Sequence, residues 1–192
     1  PLAAHANAIY LHGGLVARLH ALHCERERLT LTAEQQRLLE QLHRDFVRAG
    51  AQLEGQARER FAAINERMAA LTTRFGQNVL ADEAAFTLVL PHEADMAGLP
   101  EFVRDAARQA AAERGMPGSA VITLSRSLVV PFLTFSERRD LREAAWRAWT
   151  SRGEHEGETD NRAVIREILA LRAEQAQLLG FATYADFALD AS

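Results

Sequence analysis

Lysine is missing altogether: all 22 basic residues of this 192-residue chain are arginines. Arginine in excess can serve phosphate or carboxylate recognition, but in a chain this rich in alanine the bias reads as a property of coding composition. Cysteine occurs once, at Cys24, so no disulfide can close within the chain and a reducing compartment, the cytoplasm, is expected. Long apolar runs are lacking too. None approaches the roughly 18 to 20 residues that cross a bilayer, and no secretory signal pattern opens the chain, so no membrane partner is expected. Nor is there a surplus of positive charge: the 26 acidic residues outnumber the arginines and the formal net charge is −4. Arg37, Arg44, Arg58, Arg60, Arg67 and Arg74 are interspersed with glutamates, the pattern of a solvated helical face with local ion pairs, which disfavours nucleic acid as a partner.

Catalytic signatures are equally scarce. No glycine-rich phosphate loop, nucleophile elbow or Cys-x-x-Cys pair occurs. The segment His92-Glu93-Ala94-Asp95-Met96 is one substitution from the zinc pattern His-Glu-x-x-His, but Met96 stands where the second ligand belongs and Pro91 places the segment in a turn. His20, His23 and Cys24, with His12 two turns earlier, are acceptable ligand types on one helix; a structural zinc site draws four ligands from more than one element, so they read as surface histidines. Asp45, Glu40 and Glu66 fall on solvated helix faces. The residues themselves therefore predict no catalytic, cofactor-binding or metal-binding side chain here, and no stoichiometric zinc.

What the chain does contain is helix grammar. With 48% hydrophobic and 25% charged residues it can bury a core without metal or disulfide. Residues 2–28 read as two helices joined at Gly13-Gly14. Thr32 and Gln35 have capping-box spacing and open a helix with a stripe of Leu38, Leu39, Leu42 and Phe46. After Gly50 and Gly55, the steps of three and four through Ala57, Phe61, Ile64, Met68, Leu71, Phe75 and Val79 predict a long helix forming an antiparallel hairpin with 33–49.

The period then changes to two at Phe86, Leu88 and Leu90, a short strand ended by Pro91. Pro100 opens a helix that Gly115 ends. A second strand over 121–125 follows, its apolar character continuing through Val129 and Val130 until Pro131; the connection is long enough for parallel pairing, though the residues do not fix its orientation. Ser136 is the expected N-cap of a helix from 137 to about 152, with Leu141, Ala145, Ala148 and Trp149 on one face. Beyond the polar loop GEHEGETDN, Asp160 caps a helix whose apolar residues, Val164, Ile165, Ile168, Leu169, Leu171, Leu178 and Leu179, cover more than one face and so want burial on two sides or a partner. Gly180 ends it, and Thr183 with Asp186 starts another. The fold class is mainly α: helical hairpins with one small two-stranded β element at about 85–90 and 120–125.

The runs LTAEQQRLLEQLHRDFVRAGAQL, RFAAINERMAALTTRFGQNVL, AGLPEFVRDAARQAAAERG, VITLS, RRDLREAAWRAWTSRG and DNRAVIREILALRAEQAQLLGFATYADFAL, in that order, resemble the peptidyl-dipeptidase Dcp and oligopeptidase A group of thimet-oligopeptidase-like zinc metallopeptidases. The resemblance implies a cytoplasmic, largely helical, two-lobed parent enzyme whose channel admits short peptides and whose zinc is held by a His-Glu-x-x-His helix plus a later glutamate. None of those ligands is matched by a position here. The expectation is a single N-terminal, noncatalytic section, residues 1–192, of a peptidase that removes dipeptides from peptide C-termini. Its partners are short peptides and the missing C-terminal catalytic lobe, and exposed apolar surface makes self-association possible. The alternative is a stand-alone helical interaction module without enzyme activity.

Overall fold

The computed structural model describes residues 2–190. In chain order the elements are α1 (Leu2–Tyr10), α2 (Gly13–Cys24), α3 (Ala33–Arg48), α4 (Gly55–Ala85), β1 (Leu88–Leu90), a 3-10 turn at Glu93–Met96, α5 (Glu101–Glu113), β2 (Ala120–Ile122), α6 (Arg126–Phe135), α7 (Arg139–Thr150), α8 (Arg162–Leu178) and α9 (Tyr184–Leu189). The mainly α class with one small sheet is thus the observed one. The chain forms two compact units, one of Pro1–Thr72 with Arg166–Ser192 and the other of Thr73–Ile165, so α4 and α8 each contribute to both.

In the first unit the helix starts follow the capping chemistry. Thr32 Oγ1 accepts the Gln35 amide at 3.3 Å while Gln35 Oε1 accepts the Thr32 amide at 3.0 Å, the reciprocal box read from spacing. Thr183 and Asp186 repeat it at α9. The first break falls at Leu11-His12, just ahead of the paired glycines, because Leu11 is buried and His12 Nδ1 caps α2 by accepting the Leu15 amide. The long helix does not make its main pairing with α3. α3 lies along α2, and α4 is bridged to α8, Arg60 forking onto Glu174 at 2.6 and 2.7 Å and Arg67 onto Glu167 at 2.6 and 2.8 Å. These pairs run forward along α4 and backward along α8, so the two are antiparallel. Of the α3 stripe only Phe46 is buried, while Leu38 and Leu42 face outward. Phe46 packs edge-on against Tyr10 of α1, ring centres 4.9 Å apart.

The second unit is built on β2, whose three residues are all buried. β1 pairs with it antiparallel, Leu88 opposite Ile122 and Leu90 opposite Ala120, which settles the orientation that connection length left open. Alternation holds on β1: Leu90 is buried and Val89 exposed. α5 lies against β2 through Val103, Ala107, Ala110 and Ala111. The alanine-rich run there is a packing device, since side chains of one carbon let a helix sit close to a strand without leaving voids.

The apolar stretch after β2 departs from expectation. Val129 and Val130 are helical, and Pro131 lies inside α6 instead of ending a strand. A proline in a helix interior costs about 3 kcal/mol through its lost amide and ring clash. Leu128, Val129 and Phe132, all buried on one side of α6, each return roughly 1.5–3 kcal/mol, so burial outweighs both proline and the β-preference of valine. One consequence is that Ser136 ends α6 and α7 begins at Arg139, two residues later than the N-cap reading places it. Ser136 Oγ accepts the Arg138 amide at 3.2 Å. The apolar face of α7 is as expected: Ala145 is buried, and Leu141, Ala148 and Trp149 pack on the core of this unit.

Candidate functional site

The near-match to a zinc helix is disposed of by its local structure. Residues Glu93–Met96 form a 3-10 turn, so His92 and the position four residues on do not share the face of an α-helix. Asp95 is buried; its carboxylate accepts the His92 amide at 3.1 Å and the Arg138 guanidinium. Glu93 is committed to Arg104 at 2.8 Å and Arg108 at 3.5 Å, and Met96 is buried in the core. These carboxylates neutralise arginines, and the donor set of a hydrolytic zinc centre is not assembled from them. Arg138 also forks onto Asp140, whose carboxyl is held below the usual range by that arginine.

A second assembly was only half visible. His20, His23 and Cys24 of α2 are joined by His43 of α3. His20 Nδ1 lies 3.2 Å from His43 Nε2 and His20 Nε2 lies 3.5 Å from Cys24 Sγ. The His23 and His43 rings stack in parallel, 3.8 Å between centres with planes 6° apart. Burial, then the neighbouring charges His23, His20 and Arg26, lower the pKa of His43. His43 was absent from the sequence candidates although the phase of α3 marks it, since it lies one turn beyond Leu39 and one turn before Phe46. Among the described residues no three or more His, Cys, Asp or Glu side chains stand in an arrangement able to hold a metal ion together.

The polar loop before α8 is pinned to α4 by acceptors. Asp82 takes the Gly153 amide at 2.7 Å, His155 Nε2 at 2.7 Å and the Thr159 side chain; burial pushes its carboxyl up, but these donors outweigh burial and the net shift is downward. Arg152 bonds Glu83 and lies over the Trp149 ring, 3.6 Å from its centre. The Thr159 hydroxyl and His155 both turn to the Asp82 carboxylate, so the group reads as a clasp. Asp45 and Glu66 are exposed, as expected of them, while Glu40 is half-buried and accepts from Gln36 at 3.2 Å.

Where the second unit is open, it presents aromatic and cationic groups together. A shallow hollow of about 440 Å³ is lined by Leu133, Arg139, Arg142, Glu143 and Trp146. Trp146 is 54% exposed, while Arg142 is tied to the Ser136 carbonyl. Phe102, Val130 and Phe135 are further large apolar side chains left open on α5 and α6. A surface of this kind accommodates other polypeptide more readily than a small polar metabolite. No described helix is long and apolar enough to cross a membrane.

The described residues thus form a mainly helical chain with one two-stranded element and open apolar surface. Comparison with known proteins adds a family likeness. Residues 132–192 match the model of Peptidase family M3. The chain is 38% identical over 184 residues to the dipeptidyl carboxypeptidase of Escherichia coli, covering 96% of this chain and 27% of that enzyme. It is 36% identical over 182 residues to oligopeptidase A of Haemophilus influenzae, covering 93% and 27%. A probable cytosolic oligopeptidase A of Arabidopsis thaliana is 33% identical over 166 residues, covering 83% and 24%. The chain is similar to peptidase family M3, the thimet-oligopeptidase-like peptidases, and spans about a quarter of the length of these relatives.

Proposed function

We propose that these 192 residues form a noncatalytic section of the channel wall in a cytoplasmic zinc peptidyl-dipeptidase, which removes dipeptides from the C-termini of short peptides. The observation that carries this reading is the 38% identity, along 184 residues, to an enzyme named dipeptidyl carboxypeptidase. The structure lends support of a different kind: Asp95, Glu93 and Asp82, the carboxylates nearest to histidines of interest, are each bound to arginine, backbone amide or loop donors. The section acts by shape, restricting the size and course of the peptide, while the hydrolytic zinc and its ligands belong to other residues of the parent. The exposed apolar side chains of α5 to α7 meet the remainder of the parent enzyme, and in its absence they drive self-association.

The test compares the 192-residue chain with the full open reading frame that contains it, using a blocked fluorogenic peptide and product mass analysis. The expected result is no turnover by the chain and chelator-sensitive release of C-terminal dipeptides by the full protein. Turnover by the chain alone overturns the noncatalytic role. Internal cleavage without dipeptide release overturns the peptidyl-dipeptidase assignment in favour of an oligopeptidase. A reading frame that ends at Ser192, with a monodisperse product, favours the stand-alone interaction module.

A further inference from the structure

We propose that His20 and His43 form a two-histidine site for a borderline transition-metal ion of the Cu²⁺, Ni²⁺ or Zn²⁺ class, and that the bound ion clamps α2 to α3. Taken by itself, α2 offers His20, His23 and Cys24 on one helix only. The structure adds a donor from a second helix.

Geometry carries the argument. Two imidazole nitrogens, each about 2.0–2.1 Å from a common tetrahedral ion, stand about 3.3–3.4 Å apart; His20 Nδ1 and His43 Nε2 are 3.2 Å apart with nothing between them but a shared proton. That contact requires one nitrogen to offer a lone pair and the other a proton. The ion takes the place of this proton, which moves to the other nitrogen of His43, so that both facing nitrogens become donors to the metal.

The surroundings fix the two rings in the required sense. His20 Nε2 lies 3.5 Å from Cys24 Sγ; with the thiol sulfur as acceptor, the Nε2 proton holds His20 in the tautomer whose Nδ1 lone pair faces α3. An acceptor on the far nitrogen of a ligating imidazole is the usual means of setting its orientation and basicity. The His23 ring, stacked in parallel on His43 at 3.8 Å, restrains the plane of the second ligand. Arg26 turns its guanidinium to the His23 carbonyl at 2.8 Å. No third donor converges on the same point among the described residues, so water completes the coordination shell. Two imidazoles without thiolate predict affinities in the order Ni²⁺ below Cu²⁺ and Cu²⁺ above Zn²⁺. α2 buries no residue of its own, and a cross-helix ion supplies the restraint that packing does not.

The experiment is calorimetric titration of the chelator-treated chain with CuCl₂, NiCl₂ and ZnCl₂, alongside His20→Gln, His43→Gln, Cys24→Ala and, as control, His92→Gln. One equivalent is expected to bind the wild type in the stated order. Binding is lost in His20→Gln and in His43→Gln, weakened about tenfold in Cys24→Ala, and unchanged in His92→Gln. Circular dichroism checks that each variant is folded; because the two ligands sit on different helices, either folded variant suffices. Slowed amide exchange across α2 on adding metal is the second expected readout. Equal binding by His43→Gln and the wild type, or no binding of any of the three ions, overturns the proposal.

Discussion

Asn161 and Asn78, 83 residues apart in sequence, share a hydrogen bond of 2.9 Å in which the Asn78 amide donates to Asn161 Oδ1. Asn161 is buried, and its own amide donates to the Phe75 carbonyl at 3.1 Å. Its backbone carbonyl meanwhile accepts the first amide bond of α8, from Ile165. One side chain thus ties the start of α8 to the C-terminal third of α4 while the same residue opens the helix. Asn161→Ala removes the partners of the half-buried Asn78 amide and of the Phe75 carbonyl, and the expected loss is about 1–3 kcal/mol of unfolding free energy. Urea denaturation measures it; a loss below experimental error contradicts the assignment.

Gly98 and Gly115 both have left-handed backbone, φ +79° and +72°, yet they predict different outcomes. A Cβ at Gly98 would stand 2.4 Å from the Phe135 carbonyl oxygen, whereas Gly115 has open space around it. Gly98→Ala adds a clash with backbone to the conformational cost, and the loss should exceed the roughly 1 kcal/mol expected of Gly115→Ala. Paired thermal melts of the two variants decide it, and equal shifts refute the close approach.

Asp82 predicts a local effect. Asp82→Asn removes the charge that gathers Gly153, His155 and Thr159, so the Gly153 amide, bonded at 2.7 Å in the native protein, should exchange with solvent markedly faster while amides of β2 keep their protection. Uniform acceleration across the unit would point instead to global destabilisation.

Acid sensitivity at the start of α8 follows from Asp160. Hydrogen bonds from the Arg162 side chain and amide hold its carboxyl down at about 2, from an ordinary 3.8. A carboxyl depressed on folding adds stability that is complete above the unfolded value and vanishes as pH falls through the folded one. Between pH of about 4 and about 2, Asp160→Asn should therefore lose less stability than the wild type. Parallel slopes over that window remove Asp160 from the account.

The antiparallel register of α4 and α8 can be checked by exchanging charges. Arg60→Glu alone sets two carboxylates against each other across the 2.6 Å contact with Glu174 and lowers the melting temperature. Combining it with Glu174→Arg should restore part of the loss, whereas combining it with Glu167→Arg should not.

Much of this architecture was legible because it is local chemistry. The boxes at Thr32 and Thr183, the strand ended by Pro91 and the terminating Gly180 each depend on residues within a turn of one another. What escaped depends on distant partners. Pro131 stands in a helix because Leu128, Val129 and Phe132 find a core made by α5 and β2, which no window around residue 131 contains. α3 and α4 carry stripes that fit one another on paper, yet α2 and α8 supply better complements, one through histidine rings and the other through forked arginines. His43 was overlooked for the same reason, as its partners lie on another helix. The absence of a hydrolytic zinc motif was legible at once, being a matter of residue identity alone.

The interruption of the first unit by the second has a bearing on the order in which the chain matures during translation. Residues 73–165 leave the ribosome as one continuous stretch and hold everything their own unit requires. Residues 1–72, though made before them, must wait for Arg166–Ser192 before α4 meets the arginine-binding glutamates of α8. Of the two units, the one whose first residues are made earlier is therefore the later to close, and it is the one a chaperone would be obliged to shield longer.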